Sequence, residues 1–125
     1  EINRDRLASW DEYNETLKPM EQAGIIRLPV IPEECCHNAH MFYIVTNSLE
    51  ERGRLISFLK DNGIISVFHY VPLHSSRAGM EYGRFHGEDK YTTEISNRLL
   101  RLPMYYEIGS DKISYICEKI HEFYK

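Results

Sequence analysis

Met41-Phe42-Tyr43-Ile44-Val45-Thr46-Asn47-Ser48-Leu49-Glu50-Glu51, running on through Gly63 to Ile64-Ile65-Ser66-Val67-Phe68, is the most informative stretch of the chain. Met41 to Val45 is apolar, β-branched and aromatic, the composition of a strand. Ser48 followed three positions later by Glu51 is a capping box, in which each side chain can satisfy a backbone N–H that the first helical turn leaves free. The helix it opens carries Leu55, Ile56 and Leu59 on one face. Gly63 suits the left-handed residue that ends a helix, and Ile64 to Phe68 reads as a further strand. A strand, a capped helix and a second strand in one stretch call for helices packed on a sheet.

On the N-terminal side, residues 2 to 17 read as helix, with Trp10, Tyr13, Leu17 and Met20 spaced three, four and three apart. Pro19 is expected to interrupt it at Lys18 and start a fresh turn that Gly24 ends. Ile25 to Val30, bounded by Gly24 and Pro32, reads as a short strand. On the C-terminal side, residues 92 to 100 suggest a short helix with Ile95 and Leu99 one turn apart. Arg101 to Met104 follows as a strand limited by Pro103. Ser110 is the expected cap of a last helix whose stripe is Ile113, Ile116, Cys117, Ile120 and Tyr124. The order α-β-β-α-β-loop-α-β-α predicts an α+β fold, a small, mostly antiparallel sheet packed by helices on one face.

The 125 residues show no repeat, linker or low-complexity tract, so 1–125 is expected to be one domain. The chain is 42% apolar and 27% charged, within the globular range. A net charge of −4 argues against a general nucleic-acid binder. No apolar run approaches the ~20 residues that span a bilayer, so no membrane segment is expected. Three cysteines, two of them adjacent at 35 and 36, give no disulfide framework and favour a reduced, cytoplasmic setting. Cys35-Cys36-His37-Asn38-Ala39-His40, even with His69 and His74 added, lacks the spacing of a zinc site, and no metal is expected.

The stretch from Tyr70 to Tyr91 has no period. It holds Gly79, Gly83 and Gly87 among Leu73, His74, Tyr82, Phe85 and His86. Long loops of this kind in compact domains are usually functional, and this one favours a ligand-facing role over a structural one. His69 and Tyr70 stand where a strand runs out, a common place for site residues. No nucleophile elbow, phosphate loop or dinucleotide fingerprint is present.

Longer segments carry a resemblance. Asn38-Ala39-His40-Met41-Phe42-Tyr43-Ile44, Phe68-His69-Tyr70-Val71-Pro72-Leu73-His74 and Arg98-Leu99-Leu100-Arg101-Leu102-Pro103-Met104 resemble the small domain of the DegT/DnrJ/EryC1/StrS sugar-nucleotide aminotransferases. Phe85-His86-Gly87-Glu88-Asp89-Lys90-Tyr91-Thr92-Thr93 looks like the branch that aminates dTDP-4-keto-6-deoxyglucose to its 4-amino-4,6-dideoxygalactose product. That sugar nucleotide serves enterobacterial common antigen, lipopolysaccharide and related surface glycans. The resemblance implies the C-terminal small α+β domain of a fold-type I pyridoxal-phosphate transferase, with residues 1–23 as the connecting helix and 24–125 as the small domain. Glu1 in place of a starting Met agrees with a piece of a longer protein.

By the same resemblance, the whole enzyme takes the amino group from glutamate and passes it through pyridoxal 5′-phosphate to C4 of the dTDP-sugar. It acts as a homodimer, and its cofactor domain is absent here. Lys18, Lys60, Lys90, Lys112, Lys119 and Lys125 lie in no Schiff-base motif, so this chain is expected to hold no catalytic lysine, to bind no cofactor and to be inactive alone. Its implied contribution is to the sugar nucleotide, first through His69 and Tyr70, then His74, with Asn38, His40 and Arg77 as further candidates. The competing expectation is a stand-alone module that binds a sugar nucleotide or a protein without catalysis.

Overall fold

The computed structural model describes residues 1–125. Its first helix, α1 (Ile2–Gln22), runs straight through Pro19. The expected break does not occur because Pro19 falls in the last turn, where its missing N–H leaves only the Glu15 carbonyl without its helical donor. Beyond it, the Ala23 N–H still donates to the Pro19 carbonyl at 3.1 Å. Trp10, Tyr13, Leu17 and Met20 are buried as their spacing predicts. The Tyr13 hydroxyl donates to the Pro103 carbonyl at 2.9 Å, and its ring stacks on Phe42.

Ile25 to Val30 is not a strand. It makes a single bridge, in which the Arg27 N–H donates to the Val45 carbonyl at 3.0 Å and the Val45 N–H donates to the Arg27 carbonyl at 2.9 Å. The bridge cannot grow because Glu21 Oε1 takes the Leu28 N–H at 2.8 Å and Pro29 has none to give.

The next elements are β1 (Phe42–Val45), α2 (Leu49–Asp61) and β2 (Val67–Phe68). The capping box forms, with the Glu51 N–H donating to Ser48 Oγ at 3.0 Å. The Glu51 carboxylate reaches one residue further back than expected, accepting from the Asn47 N–H at 3.4 Å. Gly63, at φ +75°, ends α2 in paired bonds, Gly63 N–H to Lys60 and Ile64 N–H to Leu59. Only glycine takes this left-handed position without strain.

A one-turn 3₁₀ segment (Leu73–Ser75), α3 (Arg77–Tyr82), α4 (Thr92–Arg98), β3 (Leu99–Leu102) and α5 (Ser110–Phe123) complete the chain. The stretch 70–91 is therefore partly ordered into helical turns. Residues 92–100 split at Arg98, and the strand expected at 101–104 starts two residues earlier. Ser110 does not cap α5. Gly109 occupies that position, and the Ser110 hydroxyl donates instead to Glu12 Oε1 of α1 at 2.5 Å.

The sheet has order β1-β3-β2, antiparallel throughout, so β3 is central. Its registers explain the short strands. Continued by one step toward β1, and by two toward β2, both ladders reach Pro103, which has no N–H to offer. The strand expected over Ile64–Phe68 thus keeps only Val67 and Phe68. Phe42 faces Leu102 and Ile44 faces Leu100, all four buried in a 19-residue core with the apolar faces of α1, α2 and α5. Tyr43 and Arg101 pair on the opposite face and stay half-exposed. No helix is long and apolar enough to cross a membrane.

Candidate functional site

Alternation along β3 places Leu100 and Leu102 in the core and turns Arg101 to the opposite face. Val67 pairs with Arg101, so two residues further along β2 the His69 ring arrives on the same face. Arg101 Nη1 lies 3.3 Å from His69 Nδ1. Burial depresses the His69 pKa below its ordinary 6.5, and the positive Arg101 and nearby His40 push it the same way. The His69 ring packs against Tyr70 at 4.0 Å between centroids. Tyr70 is 64% exposed, and its carbonyl accepts a hydrogen bond from Ser96 Oγ of α4. His69, Tyr70, Val71, Tyr91, Ser96 and Leu99 help to line a hollow of about 520 Å³.

His40 approaches from the segment before β1. Asn38 Oδ1 accepts from the His40 backbone N–H at 3.3 Å and lies 3.3 Å from His40 Nδ1. Asn38 and His40 border a separate recess of about 260 Å³ beside Tyr43. His37 packs its ring on Trp10 at 4.8 Å, and Cys35 and Cys36 are exposed free thiols.

His74 sits elsewhere. Its Nε2 lies 2.9 Å from Asp89 Oδ2 and 3.2 Å from Thr93 Oγ1, and its ring packs on Phe85. Asp89 also accepts the Thr92 and Thr93 N–H groups at the start of α4, and these bonds, the Thr93 hydroxyl foremost, hold its carboxyl below the usual range. Asp89 thereby closes the 74–93 segment on itself. Within that segment Gly79 is required by close packing, since a Cβ there would lie 1.7 Å from the Leu73 carbonyl oxygen. The groove it leaves, about 580 Å³, is lined by His74, Tyr82, Phe85 and His86 among others. Arg77 is exposed at the start of α3 and makes no ion pair.

The six candidates therefore divide among three places. His69 and Tyr70 share one hollow, Asn38 and His40 border a second, and His74 lines a third, with Arg77 outside all of them. Arg101 and Asp89 were missed from the sequence. For Arg101 the signal was present, a lone cation between Leu100 and Leu102 in a strand. For Asp89 it was the [Asp]-x-x-[Thr] spacing ahead of a helix.

The chain matches the DegT/DnrJ/EryC1/StrS aminotransferase family over residues 1–121. A pleiotropic regulatory protein of Geobacillus stearothermophilus is 32% identical over 124 residues, covering 95% of this chain and 33% of the relative. A GDP-perosamine synthase of Escherichia coli O157:H7 is 28% identical over 88 residues, 70% of this chain and 23% of its own. A crystal structure of a DegT DnrJ EryC1 StrS aminotransferase from Brucella abortus superposes with a TM-score of 0.82 at 26% identity, covering 98% of this chain and 31% of its own. The chain spans at most about a third of the length of these relatives. With the family pattern extending through 121 of its 125 residues, the chain belongs to the DegT/DnrJ/EryC1/StrS aminotransferase family.

Proposed function

We propose that these residues are the small α+β domain of a sugar-nucleotide aminotransferase that moves an amino group from glutamate to C4 of dTDP-4-keto-6-deoxyglucose, for surface-polysaccharide synthesis. The observation that carries this reading is the placement of His69 and Tyr70 beside Arg101 on the sheet face opposite the core, at a hollow that α4 borders. Donors, a ring face and positive charge meet there, a combination suited to a ribose or hexose bearing a diphosphate. Asn38 and His40 flank that face and extend the same surface. His74 and Arg77 contribute from the 3₁₀ turn and α3 when the rest of the enzyme packs against them. The working enzyme is a cytoplasmic homodimer.

Pyridoxal phosphate chemistry requires a lysine in a desolvated or cation-flanked pocket. The lysines here do not fit it. Lys18, Lys60, Lys90, Lys112 and Lys125 are exposed, and Lys119 is bonded to Glu122 at 2.7 Å, which raises its pKa. The cofactor and its lysine are accordingly assigned to the rest of the polypeptide, and this chain alone is catalytically silent.

A GDP-linked sugar is the second reading, favoured by the likeness to a GDP-perosamine synthase. The two separate in an amination assay on the full-length polypeptide that contains these residues, supplied with pyridoxal phosphate and glutamate. The dTDP-4-keto-6-deoxy sugar should be converted to the amino sugar and its GDP-linked counterpart should not. Preference for the GDP sugar, or failure to aminate either, overturns the proposal.

A further inference from the structure

Arg101 is a half-buried guanidinium with an unusual set of partners. It makes no ion pair with any carboxylate. Its Nε is buried without an acceptor. Its Nη1 meets only the imidazole of His69, at 3.3 Å. A guanidinium has donors and no acceptor, so at this contact His69 Nδ1 must accept, and the proton of the neutral ring lies on Nε2. The other groups facing this ring are Tyr70 and, from the segment before β1, His40. No acidic residue is among them. A cation taken partly out of water and left without an anion is unfavourable unless a ligand supplies one.

We infer that Arg101 and His69 form a site for an anionic oxygen, in which Arg101 supplies the charge and also positions His69 as a neutral Nε2–H donor. The ligand chemistry is a phosphate or a carboxylate. In the proposed enzyme the first belongs to the sugar nucleotide's diphosphate and the second to the amino donor. The depressed pKa of His69 agrees with a ring kept neutral at pH 7. The inference deepens the proposed function: it adds that Arg101 fixes the tautomer of His69 and thereby makes the ring a donor beside the charge. It relies on that function only for the choice of ligands.

The closed core of the 125-residue chain allows the test to be made on it directly. Long-range ¹⁵N–¹H spectra should show His69 with a protonated Nε2 and a bare Nδ1, titrating below 6.5. Arg101→Met should raise that midpoint and mix the tautomers, while the Leu100 and Leu102 amide shifts report that the strand remains in place. Arg101→Lys should restore the lowered midpoint in part, because it returns the charge without the planar fork.

Adding dTDP in one sample and glutamate in another then identifies the source of the anion. Whichever binds should shift the Arg101 Nε–H resonance and lose at least about tenfold in affinity with Arg101→Met. A His69 protonated on Nδ1, a midpoint indifferent to Arg101→Met, or no response to either anion overturns the inference. Binding of dTDP or glutamate at Arg101 in a polypeptide that aminates neither keto sugar would leave this site standing and remove the proposed function instead.

Discussion

At the scale of single residues, His69 links geometry to a pH dependence. Its folded pKa lies below 6.5, so between the two values the unfolded chain binds the extra proton. Stability therefore rises with pH through that interval and levels off above it. Urea titrations of the chain from pH 5.5 to 7.5 should show this slope, and His69→Gln should remove its share. A slope unchanged by the substitution would mean that the ring is not held neutral. Cysteine reactivity gives a second residue-level prediction. Cys117 is buried in the core, chiefly for that reason its thiol is pushed up to about 12, and Cys35 and Cys36 are exposed. Iodoacetamide at pH 8 should add two groups by mass, and a third only when urea unfolds the chain. Three rapid additions would contradict the packing of α5.

At the scale of elements, what could be read from the chain depended on whether a signal was local. The Ser48–Glu51 box and the Gly63 stop are local chemistry, and α2 begins and ends where they indicate. The stripe of α5 is also local periodicity: Ile113, Ile116, Cys117 and Ile120 are buried, and Tyr124, just past the helix end, is half-buried. Strand boundaries were less legible, because Pro103 limits two ladders through partners far away in sequence. At Ile25–Val30 the limit is a side-chain contact that periodicity does not show: Glu21, seven residues before Leu28, takes the N–H that a strand would need. Centrality in the sheet is likewise non-local. Leu100 is fully buried on the middle strand, whereas Val67 on the edge strand is 46% exposed. Leu100→Ala should cost about 3 kcal/mol in urea denaturation, and Val67→Ala under about 1 kcal/mol. Equal losses would contradict the order β1-β3-β2.

In the molecule as a whole, one face of the sheet is committed to the core and the other carries the residues proposed to meet the ligand. The helix-covered face holds Phe42, Ile44, Leu100 and Leu102. The opposite face holds Tyr43, Arg101 and His69. The site was legible in part for the same reason that β3 was. His69 and Tyr70 stand at a strand end, whereas Arg101, though within a family-like segment, is brought beside them only by sheet pairing. The lysines complete the division, since none occupies a buried position suited to a Schiff base. Treating the chain with pyridoxal phosphate and then borohydride should give no stoichiometric adduct on a single lysine. One specific adduct would place cofactor chemistry on this chain.

If the sheet face that carries Arg101 and His69 is the ligand face, a dTDP-sugar binds there. Amide shifts of the 125-residue chain, mapped during titration with a dTDP-sugar, locate the binding surface. Saturable changes are expected only at residues 69–71 and 99–101 and their neighbours around His40. Saturable changes centred instead on the groove lined by Tyr82 and Phe85 or on α1 and α5, or no changes at all, would contradict this placement.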